Sequence, residues 1–372
     1  MFLQSLRLKN FRAFEKIETT FYPGINLITG ENGSGKTTLL EAIYYLALTK
    51  SFREHQDRFS IGETQKFFDV EGNFKKESTK FSVRLFYSQE EGKKAFYNNN
   101  KVNQFSEIIG LVPVVVLSLD DMDILYGYSA ARRKWLDIFL SQLNFQYLNY
   151  LKNYKRTLLH KNKLLSVRNI SYGEVESWNI QLAQYGAELI KIRTALIEDF
   201  NKNIKKIYVK ISGKSEQISI DYQTHKKISD TRDIKKMSAE IYAMLKENFE
   251  NEKDKGTTFI GPHRDEILFM KDNLPIKKYG SVGENKTFLI ALKILEQLKI
   301  KEQKEVSPFL LLDDIFGELD NKRVHNFFDL VDNDSQTFIT TTNFHRMSEM
   351  LSLNFHHYHI NDGEILYEKT LC

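Results

Sequence analysis

Cysteine is almost absent from these 372 residues: the single one, Cys372, is the last. No intramolecular disulfide can form, and one thiol cannot build a cysteine-based zinc site, so a reducing compartment is expected. Long apolar runs are missing too. The longest, Leu111 to Leu117, falls far short of the about 20 residues that span a bilayer. Charge arrives early, at Arg7 and Lys9, with no apolar signal-peptide core ahead of it. The expectation is a cytoplasmic chain with no membrane partner. Neither an internal repeat nor a low-complexity tract is visible. Present instead is an ordinary globular composition, 41% hydrophobic and 27% charged, which excludes wholesale disorder. At roughly 100–200 residues per domain, the chain holds two or three domains.

Net charge is also low: 53 Lys and Arg against 49 Asp and Glu leave +4. Its distribution says more. Leu151 to Lys210 carry twelve Lys/Arg and five Asp/Glu, a net of +7, so the remainder is slightly acidic. Such a segment is either a footprint for nucleic acid or a solvated, lysine-rich helical surface.

Hydropathy patterning divides the chain. Leu3, Leu6 and Leu8 sit among polar residues, and Gly24 to Thr29 form a β-prone run ending at Gly30. Leu40, Ile43, Tyr44, Ala47 and Leu48 then recur at helical spacing. Residues 67–102 read as antiparallel β structure, with Asn98-Asn99-Asn100 supplying turn chemistry. Beyond Leu117 the period changes. Leu136, Leu140, Leu143, Tyr147, Tyr150 and Tyr154 predict one face of a long helix, and Trp178 to Leu196 predict a second. A turn-like stretch at 169–173 makes them an antiparallel pair, with the aromatic stripe read as core packing. Strands are expected at Ile218–Tyr222, Thr257–Ile260, Glu266–Met270 and Thr337–Thr341, and a helix at Phe288–Leu298. Phe309 to Leu312 are apolar on both faces, as in a central parallel strand.

The strongest chemical signal is Gly30-Glu31-Asn32-Gly33-Ser34-Gly35-Lys36-Thr37, a complete G-x-x-x-x-G-K-[ST] between a predicted strand and a predicted helix. Gly33 and Gly35 let the backbone turn its N–H groups toward phosphate oxygens, and the helix dipole adds to that anion site. Lys36 can reach the β- and γ-phosphates, and the Thr37 hydroxyl can ligate Mg²⁺. The strand ending in Asp313-Asp314 supplies the complementary acidic pair. Asp313 is expected to hold Mg²⁺ through water, and Asp314 to orient or deprotonate an attacking water. Ser281-Val282-Gly283-Glu284-Asn285-Lys286 precede a helix and read either as a capped helix start or as a second anion corner. Their place ahead of the acidic pair follows the order of ABC-type ATPases, in which this signature closes over the γ-phosphate held by the other subunit. Leu319-Asp320 fit the loop that crosses that interface.

With Asn10-Phe11-Arg12, Leu39 to Ile43, Ser51-Phe52-Arg53, Arg132 to Asp137, Gly261-Pro262-His263-Arg264-Asp265 and Glu318-Leu319-Asp320, these motifs resemble the RecF family, in family order from residue 10 to residue 320. The elements at 132–137 and 261–265 are the more particular ones. The family is similar to SMC heads without their long coiled coil. The resemblance implies an α/β, P-loop ABC-type ATPase head, with a mixed sheet, helices, an antiparallel β region and an inserted helical arm. Residues 1–118 and 211–372 form the expected head, and 119–210 the arm. ATP and Mg²⁺ are implied at Gly30 to Thr37 and Asp313, with Ser281, Gly283 and Asp320 completing the nucleotide site across an ATP-dependent homodimer. Lys36 and Asp314 are the implied catalytic residues of a weak ATPase. The implied partners are single-stranded and gapped DNA, RecR, RecO and RecA, in gap repair and the SOS response. Two departures stand out. No switch histidine lies near Thr340-Thr341-Thr342, and no Q-loop glutamine is evident, Ser118 standing roughly where one is expected. The alternatives are a nucleotide-gated DNA scaffold with incidental turnover and a transporter-type ABC ATPase subunit.

Overall fold

The computed structural model describes residues 1–54, 56–167, 169–226, 228, 232–351, 354–361 and 363–371; Cys372 lies outside them. In chain order the first elements are β1 (Phe2–Phe11), β2 (Phe14–Thr20), β3 (Ile25–Gly30), α1 (Lys36–Leu48), β4 (Phe67–Lys76), β5 (Thr79–Ser88), β6 (Gly92–Tyr97), β7 (Asn100–Lys101) and β8 (Val114–Ser118). Then come α2 (Met122–Tyr126), α3 (Ser129–Leu143), α4 (Phe145–Leu165), α5 (Tyr172–Ser212), β9 (Ile218–Gln223), α6 (Ile234–Glu247), α7 (Phe249–Lys255), β10 (Glu266–Lys271), β11 (Leu274–Pro275) and α8 (Ile276–Tyr279). The chain closes with α9 (Val282–Lys304), β12 (Phe309–Asp313), α10 (Asn321–Phe328), β13 (Thr337–Thr341), α11 (Phe344–Met350), β14 (Phe355–Asn361) and β15 (Glu364–Leu371).

The chain forms two compact units, 1–122 with 210–213 and 286–372, and 123–209 with 214–285. In the first, a core sheet runs β15-β14-β3-β13-β12-β8. The strands from β14 to β8 are mutually parallel, and only β15 runs against its neighbour. β3, β8 and β13 are buried along their whole length without alternation, although β13 carries three threonines and β3 an asparagine and a threonine. The second sheet, β2-β1-β4-β5-β6-β7, is antiparallel, as expected for residues 67–102. Helix α1 touches strands of both sheets, and every residue of it except Thr37 is buried. It is therefore a core helix, at the place where the apolar residues recur at helical spacing. Tyr45 sits edge-on against Phe11 and Phe68, ring centroids 6.0 and 5.4 Å away.

In the second unit, α4 and α5 lie antiparallel. Tyr147 bonds Arg193, Tyr150 faces Tyr185, and His160 stacks on Trp178 at 5.2 Å. The stripe from Leu136 to Tyr154 belongs to two helices, α3 and α4, and not to one. Asn144 stops the first and caps the second, its Oδ1 accepting from the N–H groups of Gln146 and Tyr147. The expected strand at 257–260 is a loop, because side chains take its backbone groups. Asn162 Oδ1 accepts from Thr258 N, and Glu252 Oε1 from Phe259 N, both within 2.9 Å.

The division also differs from the expected head and arm. Residues 214–285 fold with the helices of 123–209, not with the phosphate-loop unit. Strand β9 pairs with β10, and Asn201 of α5 bonds both the N–H and the C=O of Ile220. Trp135 of α3 packs edge-on against Phe269 of β10, and Arg132 pairs with Glu266. Among the described residues, no helix is long and apolar enough to cross a membrane.

Candidate functional site

The chain leaves β3 at Gly30 and enters α1 at Lys36, so the phosphate-loop motif is a strand-to-helix turn. Gly33 and Gly35 have φ of +84° and +107°, where a side chain is strained. At Gly35 a Cβ would also lie 2.7 Å from Phe14 Cζ. Gly35 caps α1 without any side-chain bond, and the first turn contains no acidic residue. The leading N–H groups of α1 therefore need an acceptor from outside the helix, which suits an anion. Ser34 Oγ is buried without a hydrogen-bond partner. Glu31, Asn32 and Gly33 are exposed. Lys36 is buried, and its ammonium donates to the carbonyls of Gly30 and Glu31 at 2.9 and 2.7 Å. Burial lowers its pKa, against the opposing pull of Asp314 and Asp313. Loop, lysine and open helix end fit a polyphosphate.

Tertiary structure brings the acidic strand end to this loop. Thr37 Oγ1 donates to Asp313 Oδ1 at 2.9 Å, across 276 residues of sequence. Thr340 Oγ1 donates to the same oxygen at 2.6 Å and accepts from Asp314 N at 3.1 Å. Asp314 has φ of +51°, so the backbone turns sharply after Asp313. A hydroxyl and a carboxylate this close fit Mg²⁺, which takes few protein ligands and keeps water and phosphate oxygens. Thr340 is the residue whose role the sequence did not assign. The sequence marked it only as standing where a switch histidine is missing; its seat on β13 beside β12 brings it to Asp313.

A third cluster gathers motifs that the sequence kept apart. Glu41, wholly buried in α1, accepts from Arg12 Nε and Nη2, both at 2.7 Å, and from Ser51 Oγ at 2.5 Å. Arg53 approaches it at 3.7 Å. Arg12, Glu41, Ser51 and Arg53 thus form one ion-pair knot on the helix that carries Thr37.

Asp320 caps α10, accepting from Arg323 N at 2.9 Å, and Arg346 donates to the carbonyls of Gly317 and Leu319. Ser118 donates its N–H to Asp121 Oδ2 at 2.8 Å.

In the second unit, Ser281 and Glu284 form a reciprocal cap at the start of α9. Ser281 N donates to Glu284 Oε2 at 2.8 Å, and Glu284 N to Ser281 Oγ at 3.3 Å. Lys271 and the Ser281 N–H hold the Glu284 carboxyl down at about 2. Ser281 and Val282 are exposed. The elements at 132–137 and 261–265 converge on Arg193, which is 2% exposed. Arg193 donates to Asp137 at 2.7 Å, to Tyr147 at 3.0 Å and to the Pro262 carbonyl at 2.8 Å, with Asp265 at 4.0 Å. Burial raises the Asp265 carboxyl above its ordinary range, whereas Arg193 and Lys155 bring Asp137 below its own despite burial.

The family model described as the RecF/RecN/SMC N terminal domain matches residues 2–364. The DNA replication and repair protein RecF of Chloroherpeton thalassium is 36% identical over 352 residues, 92% of this chain and 95% of that one. This chain belongs to the RecF family. The RecF of Salinibacter ruber is 34% identical over 350 residues, 92% of this chain and 85% of its own length. A solved structure of the recombination mediator protein RecF with ATP, in the RecFOR pathway, matches with a TM-score of 0.90 and 28% identity, covering 99% of each chain. An Smc head bound to the C-winged helix domain of ScpA matches at 0.56 with 17% identity, covering 100% of this chain and 98% of that one, a likeness of fold alone. The α/β ATPase-head fold expected from the motifs is therefore the RecF fold.

Proposed function

We propose that this chain is an ATP-gated DNA-binding protein of replication and recombinational gap repair, with slow ATP hydrolysis resetting the gate. The carrying observation is the Thr37–Asp313 bond of 2.9 Å, which joins phosphate loop and acidic strand into one site. Lys36 and the open N–H groups of α1 hold the phosphates. Thr37 and Asp313 hold Mg²⁺, which when bound neutralises charge on the β- and γ-phosphates. Asp314 takes the proton of the water that attacks the γ-phosphorus, and ADP leaves. Ser281 and Gly283 of one copy, with Asp320 at the crossing loop, complete the site of a second copy, so ATP closes a homodimer. The exposure of Ser281 and Val282 supports that reading. Closure presents a cationic surface to single-stranded or gapped DNA, and the cytoplasmic partners are RecR and RecO in loading RecA during the SOS response. The RecF relatives and the RecF structure of the RecFOR pathway support these partners.

Lys36→Arg should lower ATP hydrolysis at least tenfold while the far-ultraviolet dichroism stays that of the wild type. Hydrolysis at the wild-type rate would defeat the site assignment. Ser281→Arg should abolish ATP-driven dimerisation, followed by light scattering, while the monomer still binds ATP. Undiminished dimerisation would defeat the shared site. The scaffold reading draws on the absence of a histidine at Thr340, and turnover that gapped DNA leaves unchanged would favour it.

A further inference from the structure

A cavity of about 830 Å³ lies in the first unit, away from the phosphate loop, and the ATP reading gives it no role. Thr20 to Pro23 line it, where β2 hands over to β3. At about 3.3 Å per residue, roughly 20 Å of strand β3 separate it from Gly30.

The lining has a definite chemistry. Tyr22 and Phe81 supply rings, Asn73, Asn98 and Asn99 supply amides, and Lys80 supplies positive charge. No Asp or Glu is among the described lining residues. Lys80 stands directly opposite Lys75 across β4 and β5, and Lys75 stands opposite Phe2, another lining residue. Like charges on one rung destabilise a sheet, and a bound anion relieves them.

Tyr22 is held as a platform. Tyr22 is 42% exposed, and its ring is backed on one face by His356, at 4.4 Å between centroids and 13° between planes, with Tyr367 beside it at 5.5 Å. Asn26 donates to its carbonyl at 2.9 Å and accepts from its N–H at 3.3 Å, and Gln336 donates to the same carbonyl at 2.9 Å. Both amides are buried, at 0% and 2% exposure, so the ring stands on a rigid turn.

The ligand that matches is planar, has hydrogen-bonding edges and carries a nearby single negative charge. A nucleoside polyphosphate does not match, because no glycine-rich loop or helix N-terminus is among the described lining residues. We infer that this cavity takes an unpaired base of single-stranded DNA, stacked on Tyr22, with its backbone phosphate on Lys80. The inference rests on the DNA partner of the proposed function and adds a separate site for it that needs neither ATP nor a dimer. Duplex DNA keeps its bases stacked on one another and does not enter.

The full-length protein without ATP is titrated with a short oligothymidylate carrying one 5-iododeoxyuridine, then irradiated and mapped by mass spectrometry. Cross-links at Tyr22 or Phe81 are expected. Tyr22→Ala should weaken binding roughly fivefold or more, and Tyr22→Phe should restore it. Lys80→Glu should weaken binding and flatten its salt dependence. Binding of a fluorescent ATP analogue should be unchanged in all three, which separates this site from the phosphate loop and reports the fold. If Tyr22→Ala fails to fold, the exposed Lys80→Glu variant decides. Unchanged affinity in the folded variants, or cross-links only elsewhere, would overturn the inference. Equal affinity for the matching duplex would also overturn it. Equal affinity for thymidine monophosphate would overturn the strand in favour of a free mononucleotide.

Discussion

Three buried groups of this chain illustrate how a motif acquires its residues. Glu41 has no exposed surface and is satisfied by Arg12 and Ser51, which come from separate stretches of sequence. A buried carboxylate is tolerated only when paired and fully hydrogen-bonded, so the three residues depend on one another. Lys161 and Glu252 repeat the arrangement at 2.5 Å, both wholly buried. His263 is the titratable case. Its Nδ1 accepts from Tyr154 at 2.6 Å, and its Nε2 donates to the Thr258 carbonyl at 3.1 Å, which uses the neutral imidazole. Burial lowers its pKa to about 4, helped by Arg264, Arg133 and Lys161 and opposed by the Thr258 carbonyl. Unfolded, it titrates near 6.5, so between the two values the unfolded chain holds the extra proton. Its contribution is complete above about pH 6.5 and is lost as pH falls toward 4, up to about 3 kcal/mol. Urea denaturation at pH 7 and pH 5 should show this loss, and His263→Gln should flatten the difference. A slope identical to the wild type's in that variant would refute the assignment.

At the scale of elements, periodicity identified faces better than ends. The stripe from Leu136 to Tyr154 keeps helical spacing through Asn144, which breaks it by capping α4 with two accepted bonds. Asn144→Ala should cost about 1 kcal/mol in urea denaturation, the ordinary size of a lost N-cap, with no change in oligomeric state. Helix α1 shows the opposite limit. Its apolar stripe was legible, yet burial of Glu41 and Thr38 on its other faces depends on what the two sheets cover. The loop at 257–260 was unreadable for a related reason. Thr-Thr-Phe-Ile has strand composition, but its backbone is taken by Asn162, 96 residues away, and by Glu252 on the helix just before it.

At the scale of the whole molecule, the charge argument changes most. Of the twelve cations between Leu151 and Lys210, Lys161 and Arg193 are interior and neutralised, and Lys155 pairs with Asp137 at 3.3 Å. The excess at the surface is therefore smaller than the count suggests, though Lys152, Arg156, Lys163, Lys191, Lys202 and Lys206 remain exposed. Arg193 is instead the tie of the second unit, binding α3, α4 and the turn at 261–265 to α5. Arg193→Leu would leave Asp137 buried without its guanidinium. Destabilisation of about 3–5 kcal/mol is expected in chemical denaturation, against near-neutral effects at exposed Lys191. Equal stability of the two variants would show that the network is not what holds this unit together.

The sequence by itself determined the phosphate loop and the acidic strand end, because each is a contiguous pattern whose geometry follows from local backbone chemistry, and it pointed to the family through several such patterns in order. Gly33 and Gly35 need positive φ, and Lys36 and Thr37 must open the helix. Only the tertiary structure decided that Thr340 shares Asp313, that Arg12, Ser51 and Arg53 meet Glu41, that Arg193 unites two family motifs, and that residues 214–285 belong with the helices. Each of these joins residues that no single contiguous pattern contains, from 10 residues apart at Ser51 and Glu41 to 69 at Arg193 and Pro262. Local propensity carries no information about such partners; burial and the need to satisfy buried charge select them when the chain folds.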